Sequence, residues 1–136
     1  MAKLSKGQWT KLNMQSTATQ KFIRMSPKKI RIVVAEIKKM KPAAAIEILP
    51  YVAKRSAEPL NKVIKAAIAN ARMKGAKVED LVFKEIQIGE GPRLKRINPV
   101  SKGRAHAIKK RMSHIRVVLE TIEKPVKETK KSGTKN

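Results

Sequence analysis

The sequence predicts an α+β domain, in which a small antiparallel three-stranded sheet packs on about three helices and carries a long protruding basic β-hairpin. Residues 82–88 and 115–122 alternate apolar and polar side chains, as half-buried strands do. They bracket the finger, our name for residues 89–114, which is basic and lacks an apolar face of its own. Between residues 27 and 75, apolar residues recur at helical spacing.

The composition suits one modest domain with a polyanionic partner. The chain has 136 residues, a formal net charge of +23 and no cysteine. A chain of this size holds a single core, and binding to a polyanion relieves the self-repulsion of so many cations. The lack of cysteine excludes a disulfide framework, a thiolate metal site and a cysteine nucleophile, and it fits a reducing compartment.

Neither a secretory signal nor a membrane span is expected. Residues 1–9 contain no apolar stretch of roughly 7 to 15 residues, and no segment approaches the about 18 to 20 apolar residues of a transmembrane helix. We therefore expect a cytoplasmic protein. It is expected to have a basic arm at residues 1–16, a globular domain at 17–122 that includes the finger, and a disordered basic tail at 123–136.

The first expected elements are a strand and a helix. Residues 18–24 alternate in the strand period. Ser26 is a candidate N-cap, and the proline after it suits the first helical position, so we expect a helix over residues 27–40. Lys28 and Lys29 then lie at the positive end of the helix dipole, where a bound anion would relieve their repulsion.

Two further helices are expected before the second strand. A short helix falls within residues 42–50, because one proline starts it and another ends it. Ser56 is expected to cap the main core helix, with Gly75 as its C-terminal cap. Pro59 is tolerated if it lies in the first turn, whereas a helix that began near Ala53 should be kinked there.

The finger is too long for an ordinary connection, since loops rarely exceed about 12 to 15 residues. Proline and glycine turn signals put its reversal between Asn98 and Gly103. This predicts two arms of about 10 to 13 residues. At about 3.3 Å per extended residue, the tip would stand roughly 30 to 40 Å from the sheet.

Charge makes nucleic acid the leading candidate partner, because Lys and Arg release condensed counterions from phosphates. Aromatic residues make up only 3% of the chain, so we expect the backbone and shape of RNA to be read rather than its bases. The candidate RNA-binding residues are Arg24, Ser26, Lys28, Lys29, Arg31, Lys54, Arg55, Arg93, Lys95, Arg96, Lys102, Arg104, His106, Lys109, Lys110, Arg111, Ser113 and His114. In the N-terminal arm, Trp9 is either a small-core anchor or a ring that stacks on RNA.

Catalysis is not expected from the hydroxyl and imidazole groups in the finger, namely those of Ser101, His106, Ser113 and His114. A nucleophile needs a base and an orienting group within hydrogen-bond reach, and the finger's one acid, Glu90, lies outside this cluster. Two histidines without cysteine or carboxylate neighbours also make a poor metal site. We assign no catalytic residue, no metal ligand and no cofactor.

A cationic protein that lies on membranes or on acidic partners is the alternative to an RNA-binding protein. The expected helices have basic faces, as such proteins do. Their apolar stripes, however, are needed for the core of a small domain, which leaves little for insertion into lipid. We therefore expect no membrane partner, and liposome binding set beside RNA binding would discriminate between the two.

Short motifs in the finger and in two helices are recognisable as a set. They are Glu90-Gly91-Pro92, Lys95-Arg96-Ile97, Pro99, Lys102-Gly103-Arg104-Ala105, Ile108, Lys110-Arg111, Ser113-His114-Ile115, Ser26-Pro27-Lys28-Lys29 and Ala67-Ile68-Ala69-Asn70-Ala71. Together they extend over about residues 17 to 120. In this order they resemble the family of bacterial large-subunit ribosomal protein L-twenty-two.

The resemblance implies a structural role without catalysis. It implies a compact domain near the outer mouth of the nascent-peptide exit tunnel and a hairpin that lines the tunnel wall beside ribosomal protein L-four, with the nascent peptide near its tip. It also implies binding to 23S-type large-subunit ribosomal RNA early in assembly. At the tip the chain reads Pro99-Val100-Ser101, where many relatives have Pro-Arg-Ala, so a tip cation is missing.

Overall fold

The computed structural model describes residues 14–121, which form a three-stranded antiparallel sheet packed against helices. The strands are β1 (Gln15–Ile23), β2 (Leu81–Pro99) and β3 (Ala105–Thr121), in the order β1-β3-β2. The helices are α1 (Pro27–Ile37), α2 (Pro42–Ile48) and α3 (Ala57–Met73), with short 3-10 turns at Leu49–Tyr51 and Val78–Asp80. The expected α+β fold is confirmed.

The core lies between the central strand β3 and the helices. Ile115, Val117 and Leu119, at alternate positions of β3, have no exposed surface. They share one cluster with the apolar stripe of α3, in which Leu60 and Ile64 are also fully buried. Because burying one such side chain stabilises a fold by about 1.5 to 3 kcal/mol, this contact between distant parts of the chain holds the domain together.

Helix α1 is shorter than the sequence pattern predicts. It ends at Ile37, whereas the expected end was Met40. Lys41 is extended, with ψ at 148°. The proline that follows Lys41 explains this extended residue, since a proline disfavours helical geometry in the residue before it. Between Ile37 and Lys41 the chain forms a turn in which the Met40 N–H donates to the Ile37 carbonyl oxygen at 3.0 Å. The chain therefore leaves the helix before the last residues that the pattern had included.

The helix ends differ in how well they match their expected caps. Ser26 and Ser56 occupy the N-cap positions of α1 and α3, but neither side chain makes a capping hydrogen bond. The Ser56 hydroxyl instead donates to the Lys29 carbonyl oxygen at 3.4 Å and so ties α3 to α1. Pro59 lies in the first turn of α3, where it is tolerated. Gly75 follows α3 with φ at +85°, as expected of a C-terminal cap.

The strands that bracket the finger also run through it. β2 and β3 pair as far as Pro99 opposite Ala105. Residues 100–104 reverse the chain, and the Val100 N–H donates to the Arg104 carbonyl oxygen at 2.8 Å. This agrees with the turn signals to within one residue. β1 ends opposite Ser113, so the paired arms carry the finger roughly 25 Å past it at about 3.3 Å per residue, before the turn is counted.

A β-bulge in β2 lies where the finger leaves the sheet. The pairing with β3 shifts between Glu90 and Arg93, so that Gly91 and Pro92 have no regular partner. Proline is tolerated at such a position because no ladder hydrogen bond is needed from it. A Cβ on Gly91 would lie 3.1 Å from both the backbone carbon and the Cβ of Met112. Any other residue at this position would therefore require Met112 to shift by a few tenths of an ångström.

A second bulge, in β1, lies beside it. The pairing shifts between Gln20 and Ile23, which allows Ala18 and Ile23 to be buried on the same face despite an odd spacing. The bulge holds Phe22 at φ 58°, a left-handed conformation that costs a non-glycine residue about 1 to 2 kcal/mol. The Phe22 N–H donates to His114 Nδ1 at 2.9 Å, and the two rings meet edge to face at 5.0 Å.

The start of β1 at Gln15 puts the beginning of the sheet within the segment expected to be the N-terminal arm, residues 1–16. Trp9 and the C-terminal segment 122–136 lie outside the described residues. Within residues 14–121, no helix is long and apolar enough to span a membrane, and no group of side chains is arranged to hold a metal ion.

Replacing Gly91 by alanine is expected to destabilise the protein by about 1 to 3 kcal/mol, because the added methyl group meets backbone rather than a flexible side-chain end. Urea unfolding of the full chain, followed by circular dichroism, measures the free energy of unfolding. Gly89→Ala is the matched control, since its Cβ would lie 3.8 Å from the nearest atom. An equal loss in the two variants would contradict the close contact at Gly91.

Amide protons from Arg93 to Lys110 are expected to exchange far faster in the free protein than those from Ile115 to Leu119. Both stretches have ladder hydrogen bonds, but every side chain of the first except Leu94 is exposed. Opening that part of the finger therefore uncovers little apolar surface. Hydrogen–deuterium exchange by NMR measures the difference. Equal protection would mean that the finger opens only together with the domain.

Candidate nucleic-acid interface

A basic cleft lies between the finger and the N-terminal ends of α1 and α3. Its volume is about 990 Å³. It is lined by Arg24, Met25, Ser26, Lys29, Ile32, Ala53, Lys54, Arg55, Ser56, Leu94, Lys109, Lys110, Arg111 and Met112. These residues come from the start of α1, from the connection before α3, and from the paired arms of the finger.

The charge of the basic cleft has one sign. None of the described residues that line it is acidic, and its cations are Arg24, Lys29, Lys54, Arg55, Lys109, Lys110 and Arg111. All seven are exposed to solvent. Cations gathered in a concave surface reinforce one another's field and attract anions.

The fold positions these cations through two local features. The Ser56 hydroxyl bond to the Lys29 carbonyl oxygen holds the connection before α3 against the start of α1. Along β3, Arg111 and Lys109 continue the alternate positions of Ser113, which faces the helices. The alternation that builds the core places Arg111 and Lys109 on the side of the helices, and Lys110 and Met112 at the intervening positions line the cleft as well.

The N-terminal ends of two helices open onto the basic cleft. Their N-cap residues, Ser26 and Ser56, both line it. The first turn of α1 contains no acid, so no side chain of that turn opposes the positive end of its dipole, although Pro27 has no N–H and the Lys29 N–H donates to the Ser26 carbonyl oxygen at 3.1 Å. In α3, Glu58 is paired with Lys62 at 2.7 Å. The hydrogen bond and charge of Lys62 hold the pKa of Glu58 below its usual value.

The fold brings together eight of the candidate RNA-binding residues in the basic cleft: Arg24, Ser26, Lys29, Lys54, Arg55, Lys109, Lys110 and Arg111. Lys28 and Arg31 are exposed on α1, and the Arg31 guanidinium donates to the Ile88 carbonyl oxygen at 3.0 Å. The remaining cations and His106 are exposed on the finger, outside the cleft, at Arg93, Lys95, Arg96, Lys102, Arg104 and His106. Arg93 lies 3.2 Å from the Glu90 carboxylate.

Two of the candidates outside the cleft, Ser113 and His114, are less exposed than the others. Ser113 has no exposed surface, because its position in β3 faces the helices, and a surface-bound RNA does not reach it. Its expected RNA contact is therefore withdrawn. His114, the next residue, points to the opposite face of the sheet, where its Nδ1 accepts the Phe22 N–H.

The apolar part of the cleft was not predicted from the sequence. Met25, Ile32, Leu94 and Met112 line it among the cations. Ile32 is 59% exposed, and it falls off the buried stripe of α1. An isoleucine among lysines on a helix face is a signal that could have identified it. The other three residues offer no such signal, because only the fold brings them to the cleft.

Comparisons with known proteins agree on one family. The family model described as Ribosomal protein L22p/L17e matches residues 18–120. Three similar bacterial proteins are each named large ribosomal subunit protein uL22. The one from Desulfatibacillum aliphaticivorans is 43% identical over 107 residues, which are 79% of this chain and 99% of that protein.

The other two relatives give the same result. The protein from Maridesulfovibrio salexigens is 42% identical over 108 residues, and that from Syntrophus aciditrophicus is 47% identical over 108 residues. In both, the match covers 79% of this chain and 98% of the relative. The chain therefore belongs to the Ribosomal protein L22p/L17e family, and it is a structural, non-enzymatic constituent of the large subunit of a bacterial cytoplasmic ribosome.

Proposed function

We propose that the protein binds large-subunit ribosomal RNA through the basic cleft and the finger. We also propose that it supports assembly of the subunit, and that the finger lines the nascent-peptide exit tunnel beside ribosomal protein L-four, close to the nascent peptide. The observation that carries the proposal is the convergence of seven cations, with no acidic lining residue among those described, on one concave surface.

Phosphate groups are the ligands that such a surface suits best. Each phosphate that a Lys or Arg neutralises releases condensed counterions, and the resulting gain in free energy falls as salt rises. Arg24, Arg55 and Arg111 can each bind a phosphate through two donors, which also fixes its orientation. RNA backbone lying in the cleft would thus relieve the repulsion among its cations.

The two helix ends favour the same ligand. Free N–H groups in the first turn of a helix bind anions, and the helix dipole adds to the attraction. Lys28 and Lys29 at the start of α1 are unfavourably placed beside the positive end of that dipole. A phosphate at this point would be held by the helix and by both lysines, so that an unfavourable arrangement in the free protein becomes favourable in the complex.

The finger supports the second part of the proposal. The side chains of its outer part are exposed and form no core, and beyond Glu90 its charged side chains are all cationic. It also exposes apolar side chains at Ile97, Val100 and Ile108, with Ile97 76% exposed. Cations suit the RNA of a tunnel wall, whereas apolar groups suit contact with a protein or a nascent peptide. A projecting two-stranded arm can offer both.

Substituting two cleft cations, in the variant Lys109→Gln/Arg111→Gln, is expected to weaken binding to large-subunit RNA. Each lost phosphate contact should lower the slope of log affinity against log salt by about 0.7 to 0.9, so two contacts predict a loss of roughly 25- to 60-fold at 0.1 M salt. Filter binding of the full chain to transcribed large-subunit RNA, repeated over a salt series, measures both quantities.

Lys38→Gln/Lys65→Gln is the control for this experiment. It removes the same charge from two exposed positions that do not line the cleft, one directly after the end of α1 and one on α3. We expect it to reduce affinity and salt slope much less. If both double variants lose the same affinity, binding depends on net charge alone, and the cleft is not the site. Binding to vesicles of phosphatidylglycerol that exceeds binding to RNA would favour the membrane alternative.

Shortening the finger tests the tunnel proposal. Residues 96–108 are replaced by Asn-Gly, which joins Lys95 to its cross-strand partner Lys109. No residue removed belongs to the core, so the variant should fold and enter large subunits. We expect it to alter the chemical protection of tunnel RNA and the binding of small molecules in the tunnel. Probing of isolated subunits measures both.

The matched control keeps the length of the finger and removes only its charge. Arg96→Gln/Lys102→Gln/Arg104→Gln loses the same three cations as the shortened variant. If reach determines the effect, this control should leave small-molecule binding in the tunnel closer to normal. Subunits that carry the shortened protein with an unchanged tunnel would refute the proposed location of the finger.

A further inference from the structure

The face of the sheet opposite the basic cleft carries an exposed aromatic ring. Phe22 is 60% exposed, although burial is the main stabilisation that a phenylalanine ring supplies. The chain is poor in aromatic residues, and the other described phenylalanine, Phe83, packs against the core. The exposed ring therefore contributes little to the fold, and its position suggests a contact with a partner.

The ring is held in place rather than free. Phe22 lies in the β1 bulge at φ 58°, where glycine or asparagine would be far less strained. Its N–H donates to His114 Nδ1 at 2.9 Å, and its ring stands at 89° to that of His114. Strained residues that the surroundings hold in this way cluster at binding sites. The bulge thus presents a preorganised aromatic surface.

The surroundings of the ring suit a nucleotide. A concavity of about 430 Å³ lies next to it, lined among others by Lys21, Arg116 and His114, whose ring contacts that of Phe22. Gly89 leaves part of its floor free of side chain. Gln87 also lines it and donates to the Glu85 carboxylate at 2.7 Å. None of the described lining residues is acidic, so two cations face the concavity against one nearby carboxylate.

We propose that this face binds one unpaired RNA base, stacked on Phe22, with the adjoining phosphate near Lys21 and Arg116. The inference rests on the proposed function in taking RNA as the partner, but it uses the face opposite the basic cleft. Base–aromatic stacking needs an unstacked base, which single-stranded loops and bulges supply. An apolar protein surface fits less well, because it would desolvate both cations without pairing them.

The test uses the full chain and a uridine hexamer with one central 2-aminopurine, whose fluorescence falls when the base stacks. Wild-type protein is expected to quench it. Phe22→Leu, which keeps an apolar side chain but removes the ring, should weaken binding by about fivefold or more. Phe22→Tyr should retain binding. Tyr51→Leu is the control, because Tyr51 is 88% exposed but lines neither surface.

A second variant leaves the ring in place. Gly89→Val should fill the floor of the concavity, and its Cβ would make only an ordinary contact with His114, 3.8 Å away. It is expected to weaken hexamer binding as Phe22→Leu does. Circular dichroism melts of both variants establish that they fold. His114 ring signals in NMR should shift on addition of the hexamer to wild-type protein.

The outcomes separate this inference from the proposed function. Wild-type affinity for the hexamer in both folded variants would overturn base stacking on Phe22. The affinity of the cleft variant Lys109→Gln/Arg111→Gln for large-subunit RNA, measured in the same series, tests the proposed function independently of that result. If the His114 ring signals do not shift when the hexamer is added, and shift only when other large-subunit proteins are added, the face is a protein contact and the inference is wrong.

Discussion

A single antiparallel ladder, β2 paired with β3, supports both the core and the finger. Ile115, Val117 and Leu119 hold the register of β3, because a slip by one residue would turn every buried side chain of the strand to the outside. The same register then determines which finger cations face the helices. The direction and the charge pattern of the finger are therefore consequences of core packing, although the finger contributes nothing to that core.

The side chains that stabilise the fold differ from those proposed to bind RNA. Apolar side chains of α3 and β3 make the core, whereas the cations lie outside it and meet few acids. Such a surface stabilises a complex with a polyanion more than it stabilises the free protein. The family match, at residues 18–120, runs from β1 to the end of β3 and includes the finger.

The sequence alone predicts elements better than it predicts surfaces. Alternation, helical stripes and proline and glycine signals are local properties, and they identify the three strands, α3 with its Gly75 cap, and the reversal between Asn98 and Gly103 to within one residue. Net charge, which does not depend on the fold, also predicts a polyanionic partner. Of the helices, α1 was predicted least accurately at its end, where Lys38 to Met40 form a turn instead of continuing the helix.

The tertiary structure decided how distant residues meet. Lys54 and Arg55 join Lys109 in one cleft, although no local pattern relates them. The bulge in β1 buries Ile23 and leaves Phe22 exposed. Ser113 resembles a surface residue in a basic segment but is buried. Charge and periodicity are readable in the sequence because each depends on neighbouring residues, whereas bulges, register and clefts depend on hydrogen bonds and packing between segments far apart in the chain.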